Sequence, residues 1–272
     1  MGNINYINNK KLLISEKGKF ATLAEVLNIP ADKLVVIAGP CSVEKHSVFE
    51  EIVIFLKEIG VPCIRGGAYK PRTSPYDFQG LREDGLKILN EVAKKHNLFT
   101  ITEVTDTRHV ELVSKYADIL QVGSRNMHNY ELLKEVGMSR HPVMLKRGFS
   151  ATIEEFMLAA EYVALNGNRN IVLCERGIRT FETKTRNTLD ISCIPIIKQE
   201  TSLSIVTDLS HSLGRKDIIY PIAKAVIAAG TDGIMIEVHP NPELALSDNK
   251  QQMNMDEFSE LINDLGIFKN IY

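Results

Sequence analysis

Eight short runs of apolar and β-branched residues recur along the chain, each followed by glycine, proline or charge and then by a stretch with helical spacing. They read "LVVIAGP" from Leu34, "PCIRGG" from Pro62, "LFTITEV" from Leu98, "DILQVG" from Asp118, "PVMLKRG" from Pro142, "IVLCERG" from Ile171, "LSIVTDLSH" from Leu203 and "DGIMIEVHP" from Asp232. Successive runs start roughly 20 to 35 residues apart, the length that a strand, a crossover helix and two loops require. The intervening segments have one apolar face. In "TIEEFMLAAEYVALNG", Ile153, Phe156, Met157, Ala160 and Val163 share a face, Thr152 and Glu155 form a capping box, and Gly167 ends the helix. Continuous apolar strands alternating with amphipathic helices predict a parallel sheet covered by helices, and eight units favour closure into a (β/α)8 TIM barrel over an open sheet. No G-x-G-x-x-G follows the first strand, which removes the main support for a dinucleotide-binding fold.

A barrel of this kind uses about 250 residues, nearly all of the 272 present. Residues 1–33 are therefore expected to be an N-terminal extension and 34–272 the catalytic barrel. In the extension, "INYINNKKLLISEKG" suggests a short β-hairpin closing the barrel's bottom, and "ATLAEVLNI" a small helix. The first thirty residues have neither a continuous apolar core nor a small-residue cleavage site, and nothing approaches a membrane-spanning length. Cys41, Cys63, Cys174 and Cys193 form no C-x-x-C pair, which argues against a disulfide framework and fits a reducing cytoplasm. With 32 Lys and Arg against 34 Asp and Glu, the chain has no basic field for nucleic acid or an anionic membrane, so any cationic site must be local.

Active sites of such barrels lie at the carboxyl ends of the strands. Those ends carry Cys41, Arg65, Glu103, Arg125, Lys146, Arg176, Asp208, His211, Glu237 and His239. In a closed barrel the eighth strand lies beside the first, so Cys41, His211 and Glu237 can converge, and Asp248 in the following loop can join them. A mixed sulfur, nitrogen and oxygen set suits one divalent ion of the Mn, Fe, Co or Zn kind. Strand periodicity leaves His239 as a rival to Glu237, and Asp208 as a rival to His211.

The opposite half gathers Arg65, Lys70, Arg72, Arg125, Lys146 and Arg176. Six like charges at one mouth repel one another unless anions occupy it or neighbouring carboxylates pair with them, so a multiply anionic substrate is expected. The loop "RGGAYKPRTSPYDFQG" fits that expectation. Gly66 and Gly67 permit a sharp turn, Pro71 and Pro75 stiffen it, and Thr73 and Ser74 place hydroxyl donors beside Arg72, as in a preformed phosphate cradle.

From Leu34 to Gln252 the motifs "AGPCSVE", "RGGAYKPRTSPYDFQGL", "QVGSRNM", "LKRG", "CERGIRTFE", "TRNTLDIS", "SHSLGR" and "IEVHPNPELALSD" resemble those of the 3-deoxy-D-arabino-heptulosonate 7-phosphate (DAHP) synthases of the type I beta class. The resemblance implies a metal-dependent condensation of phosphoenolpyruvate with erythrose 4-phosphate, releasing phosphate, as the first step of the shikimate pathway. By motif it implies Cys41, His211, Glu237 and Asp248 as metal ligands and Lys70 between the two substrates. Pro71, Arg72 and Thr73 would be at the erythrose phosphate. Arg65, Arg125, Lys146 and Arg176 would hold the phosphoenolpyruvate carboxylate and phosphate, with a backbone donor at Ser124 and a water oriented by Glu103. Lys70 or a water on the metal is the candidate proton donor. Relatives of this kind are commonly tetramers, so a homo-oligomer, tetramer or dimer, is expected. The stretch before the first strand is too short for a regulatory domain, which predicts activity insensitive to phenylalanine, tyrosine and chorismate.

Two departures from the family pattern stand out. Leu209 replaces the proline of the usual Asp-Pro-Ser-His, releasing a fixed φ before His211, and "GSR" replaces "GAR". The rival enzyme is 3-deoxy-D-manno-octulosonate 8-phosphate synthase, which takes arabinose 5-phosphate; its loop typically reads "KANRSS", so "KPRTS" favours the four-carbon sugar. A barrel that only binds sugar phosphates is a second rival, and four intact ligands speak against it.

Overall fold

The computed structural model describes residues 6–7 and 10–267. All eight apolar runs form parallel strands: β1 (Val35–Gly39), β2 (Cys63–Arg65), β3 (Phe99–Val104), β4 (Ile119–Val122), β5 (Val143–Lys146), β6 (Ile171–Glu175), β7 (Ser204–Asp208) and β8 (Gly233–Glu237). They close into a barrel in which β8 lies beside β1, paired from Gly233 with Val35 to Glu237 with Gly39. Helices α1 (His46–Ile59), α2 (Glu83–His96), α3 (Val110–Ser114), α4 (Tyr130–Met138), α5 (Ile153–Leu165), α6 (Cys193–Glu200), α7 (Ile219–Ala228) and α8 (Met255–Leu265) follow the strands in turn. A short extra helix, Leu209–Leu213, sits between β7 and α7.

Strand residues alternate between two apolar layers. One set faces the helices, as Val36, Ile64, Leu120, Leu145 and Leu173 do. The other fills the barrel interior with Val35, Ile37, Cys63, Ile101, Ile119, Met144, Val172, Cys174, Val206 and Met235. Helix α5 shows how sequence sets the outer layer. Thr152 accepts from the Glu155 N–H, the Glu155 side chain accepts from the Thr152 N–H, and Phe156, Met157, Ala160 and Val163 are buried beneath. Phe156 has no exposed surface, and truncation to alanine there is expected to cost about 3–5 kcal/mol through the cavity left behind.

The expected small helix of the extension closes the floor. Leu23 and Leu27, in and just after the one-turn helix Leu23–Val26, join the interior cluster, and the Leu23 N–H donates to Ser204 Oγ at the start of β7. Leu12, Ile14 and Phe20 join the outer layer instead, where the Glu161 carboxylate of α5 accepts the N–H groups of Leu13 (2.8 Å) and Ile14 (3.1 Å). The expected hairpin is represented by an antiparallel pairing of Tyr6–Ile7 with Lys10–Lys11; its residues 1–5 and 8–9 lie outside the described part. Among the described residues no helix is long and apolar enough to cross a membrane.

Candidate active site

The interior-facing register is apolar through the barrel's waist and becomes polar at its carboxyl end. One step above the apolar layer, the same period of two brings Arg65, Glu103, Gln121, Lys146, Asp208 and Glu237 to the strand ends. Glycines make the room. A Cβ on Gly39, whose φ is +145°, would meet the Arg65 carbonyl oxygen at 2.1 Å, and one on Gly123 would meet Glu103 Oε1 at 2.0 Å.

At the seam between β8 and β1, Cys41, His211, Glu237 and Asp248 each offer a ligand atom, all within 4.8 Å of one another. Cys41 Sγ lies 3.3 Å from Asp248 Oδ2, and His211 Nε2 lies 3.4 Å from Glu237 Oε1 and 3.6 Å from Asp248 Oδ2. Three of them are held from behind. Asp208 caps the Leu209–Leu213 helix by accepting the His211 N–H and lies 2.9 Å from His211 Nδ1, which turns Nε2 toward the other three groups. Gln251 donates to Glu237 Oε2 at 2.5 Å, and Gln252 accepts the Cys41 N–H at 3.1 Å while donating to the Ser247 carbonyl.

Thiol, imidazole and two carboxylates packed this closely fit a borderline divalent cation. The electrostatics agree. Burial lowers the His211 pKa, but Asp208 and Glu237 outweigh it and raise the value to about 9, the mark of a locally negative pocket. Burial raises Asp248, yet His211 and Arg186 hold it well below the usual carboxylate range.

Beside this cluster lies a cavity of about 200 Å³. Arg65, Lys70, Pro71, Arg72, Thr73, Glu103, Ser124, Arg125, Lys146, Arg176, His211 and Asp248, all expected from sequence, line it. Cys41 and Glu237 are buried next to it with no exposed surface. The cations are not equivalent. Arg65 pairs with Glu237 at 2.5 Å and donates to the Cys41 carbonyl at 3.1 Å. Lys146 pairs with Asp208, and Arg72 Nε lies 3.3 Å from Asp77 Oδ2. Lys70 Nζ sits 3.0 Å from Cys41 Sγ and 3.1 Å from the Cys41 carbonyl oxygen. Arg176 donates only to backbone carbonyls, of Gly177 at 3.2 Å and His211 at 3.1 Å, and burial pushes its pKa down to about 10, leaving it charged at neutral pH. Glu103 is raised by burial in spite of Lys70, Lys146, Arg125 and Arg65 around it.

Both rival ligands fall outside the four-residue set. Strand β8 stops at Glu237; Val238 then bridges to Met253, so the strand period ends before His239. The His239 ring is buried elsewhere, with Nδ1 accepting from the Asn241 N–H at 3.1 Å. Sequence reasoning did not single out Arg186, Gln121, Phe149 and Asp77, which also line the cavity, nor Gln251 and Gln252. Arg186 lies within the quoted "TRNTLDIS" motif. Its Nη1 donates to Gln251 Oε1 at 2.5 Å and is 3.3 Å from Asp248 Oδ2.

A family model described as the DAHP synthetase I family matches residues 13–267. A phospho-2-dehydro-3-deoxyheptonate aldolase of Thermotoga maritima is 54% identical over 230 residues, 85% of this chain and 68% of that protein. The crystal structure of a phospho-2-dehydro-3-deoxyheptonate aldolase (DAHP synthase) from Thermotoga maritima gives a TM-score of 0.84 at 53% identity, covering 86% of this chain and 68% of that one. A truncated form of the Thermotoga maritima synthase gives 0.80 at 49% identity, covering 86% of each chain. A 2-dehydro-3-deoxyphosphooctonate aldolase of Syntrophobacter fumaroxidans is 28% identical over 255 residues, 87% of this chain and 88% of that protein.

Proposed function

We infer residue roles from one premise: the chain belongs to the DAHP synthetase I family, and it is an enzyme that condenses phosphoenolpyruvate with D-erythrose 4-phosphate to DAHP and inorganic phosphate, the first step of the shikimate pathway. The octulosonate reaction is the less supported reading, at 28% against 54% identity. The observation that carries the roles is the convergence of Cys41, His211, Glu237 and Asp248 beside a cavity rimmed by cations.

In this reading residues 34–272 form the catalytic unit and 1–33 its extension. Cys41, His211, Glu237 and Asp248 hold one divalent ion, Mn, Fe, Co or Zn, in keeping with the metal dependence of the family. Such an ion supplies Lewis acidity to the aldehyde carbonyl of the sugar phosphate. Arg65, Arg125, Lys146 and Arg176, with the backbone N–H at Ser124, hold the phosphoenolpyruvate carboxylate and phosphate. Pro71, Arg72 and Thr73 hold the erythrose phosphate. Bringing two anions into one cavity costs Coulomb energy, which the cations offset while fixing the geometry for attack of C3 on the aldehyde carbon.

Proton movements follow from the same surroundings. Burial lowers the Lys70 pKa, but Cys41 and Glu237 more than offset it, so Lys70 carries a proton to give the new alkoxide. Glu103, made more basic by burial, orients the water that adds to C2 and takes a proton from it; the hemiketal hydroxyl then passes its proton to the departing phosphate as the C2–O bond breaks, leaving the ketone and inorganic phosphate. A homo-oligomer, tetramer or dimer, in the cytoplasm completes the reading.

A phosphate-release assay with phosphoenolpyruvate and either erythrose 4-phosphate or arabinose 5-phosphate, with and without chelator, tests it. Turnover is expected with the four-carbon sugar, lost on chelation and restored by a divalent ion. Equal turnover with the five-carbon sugar, or indifference to chelator, would overturn it.

A further inference from the structure

Three guanidinium groups converge on a single aromatic ring at the cavity wall. The carbons at the centres of the Arg125, Arg176 and Arg179 guanidiniums lie 5.3, 4.7 and 4.5 Å from the centroid of the Phe149 ring, which itself lines the cavity. Among the described residues no carboxylate forms a salt bridge with any of these three arginines, whereas Arg65, Lys146 and Arg72 are each paired with one. Like charges gathered this way repel. The electron-rich face of an aromatic ring attracts each of them without consuming the charge, because it has a quadrupole and no proton to exchange. An exposed arginine such as Arg125 also samples many rotamers in water, and stacking on a fixed plane removes that freedom before an anion arrives.

The ring is itself anchored. It belongs to the loop that leaves β5, where the Phe149 carbonyl accepts from the Arg179 N–H at 2.7 Å. Two residues before it, Arg147 is buried; its Nε donates to the Ala151 carbonyl at 3.0 Å, and its Nη1 reaches Glu175 at 2.9 Å and Asp190 at 2.8 Å. One buried guanidinium thus ties the Phe149 loop to the end of β6, one residue from Arg176, and to the segment leading into α6.

We propose that Phe149 is a positioning residue for phosphoenolpyruvate: by cation–π contact its ring holds Arg125 and Arg176, the two unpaired cations of the anion site, where they meet the substrate's negative groups. The inference rests on the assignment of those arginines to phosphoenolpyruvate. It separates the two substrates, because the arginine assigned to the sugar phosphate, Arg72, is held by Asp77 and not by the ring.

Steady-state kinetics on Phe149→Leu, Phe149→Tyr and Arg125→Ala test it. Phe149→Leu keeps an apolar side chain and loses the π face; it is expected to raise KM for phosphoenolpyruvate about tenfold, with KM for erythrose 4-phosphate and kcat within about twofold of the parent and an unchanged melting temperature. Phe149→Tyr restores the ring and is expected to restore KM. If Phe149→Leu leaves phosphoenolpyruvate KM unchanged while Arg125→Ala raises it, the inference falls and the arginine assignment stands. If Arg125→Ala has no effect either, the assignment falls and the inference with it. Equal loss for both substrates, or a tyrosine variant as impaired as leucine, also overturns the proposal.

Discussion

Removing the Arg147 guanidinium isolates a buried charge, and the size of the effect can be worked out. Arg147 is 3% exposed and Glu175 not at all, with 2.9 Å between them. In Arg147→Met the methionine fills most of the space, but Glu175 Oε2 is left without its cation while Oε1 keeps the Gly177 N–H at 2.6 Å. Breaking a buried pair from one side costs about 3–5 kcal/mol, most of it the orphaned charge. An unfolding entropy of about 2.1 cal/mol/K per residue over a chain of this length means roughly 0.6 kcal/mol for each degree, so the melting temperature should fall by about 5–9 °C. The double variant Arg147→Met, Glu175→Gln removes the fully buried charge as well and leaves an amide oxygen for Gly177, while Asp190, at 22% exposure, keeps water and the Ser192 hydroxyl as partners. It should regain most of the loss, to within about 1–2 kcal/mol of the parent. Differential scanning calorimetry at two scan rates measures both. A single variant that melts within 1–2 °C of the parent, or a double variant no more stable than the single, would refute the account of an obligate buried pair.

Cys41→Ala should lose tight divalent binding in metal analysis and titration calorimetry while far-ultraviolet circular dichroism stays unchanged; full turnover with added Mn would reject Cys41 as a ligand. Arg72→Ala should raise KM for erythrose 4-phosphate by about tenfold or more with little change for phosphoenolpyruvate, since one charge-assisted phosphate contact is lost; equal effects on both would misplace the residue. The His211 pKa is raised to about 9, so below that pH its proton must leave before Nε2 can ligate. Metal affinity should therefore climb toward pH 9, and binding should release at least one proton, seen as a buffer-dependent calorimetric enthalpy. An affinity that stays flat from about pH 6.5 to 8.5 would contradict the ligand role of His211.

Much of this architecture is legible in the sequence because alternation encodes facing. The β-branched runs announce eight strands, and a polar residue at the top of six of the inward registers, such as Arg65, Lys146 or Glu237, announces the site. Ring closure then brings Cys41 to Glu237 across a long stretch of chain. Period says nothing once a strand ends, so spacing alone does not separate His239 from Glu237; the bridge from Val238 to Met253 does. It is equally silent about loops: Arg186, Gln251, Gln252 and Phe149 reach the site from segments without regular spacing. Nor does composition reveal which cations are already neutralised. The pairings of Arg65 with Glu237 and Lys146 with Asp208 depend on distances of a few ångströms between separate strands. At the floor the sequence separates the small helix, whose Leu23 and Leu27 enter the barrel interior, from the preceding apolar residues Leu12 and Ile14, but spacing alone does not tell which of them reaches the interior and which the outer layer.

The seam between β8 and β1 has a consequence for how the protein is made. Cys41 and Asp248 are 207 positions apart, so on the proposed ligand set a nascent polypeptide has no chelating pocket until the segment that carries Asp248 has emerged. Partly synthesised or truncated chains would be unable to sequester a transition metal through this group of four. On that ligand set, ion capture reports that the ring has shut, and trace metal would favour closed barrels over fragments that lack Asp248.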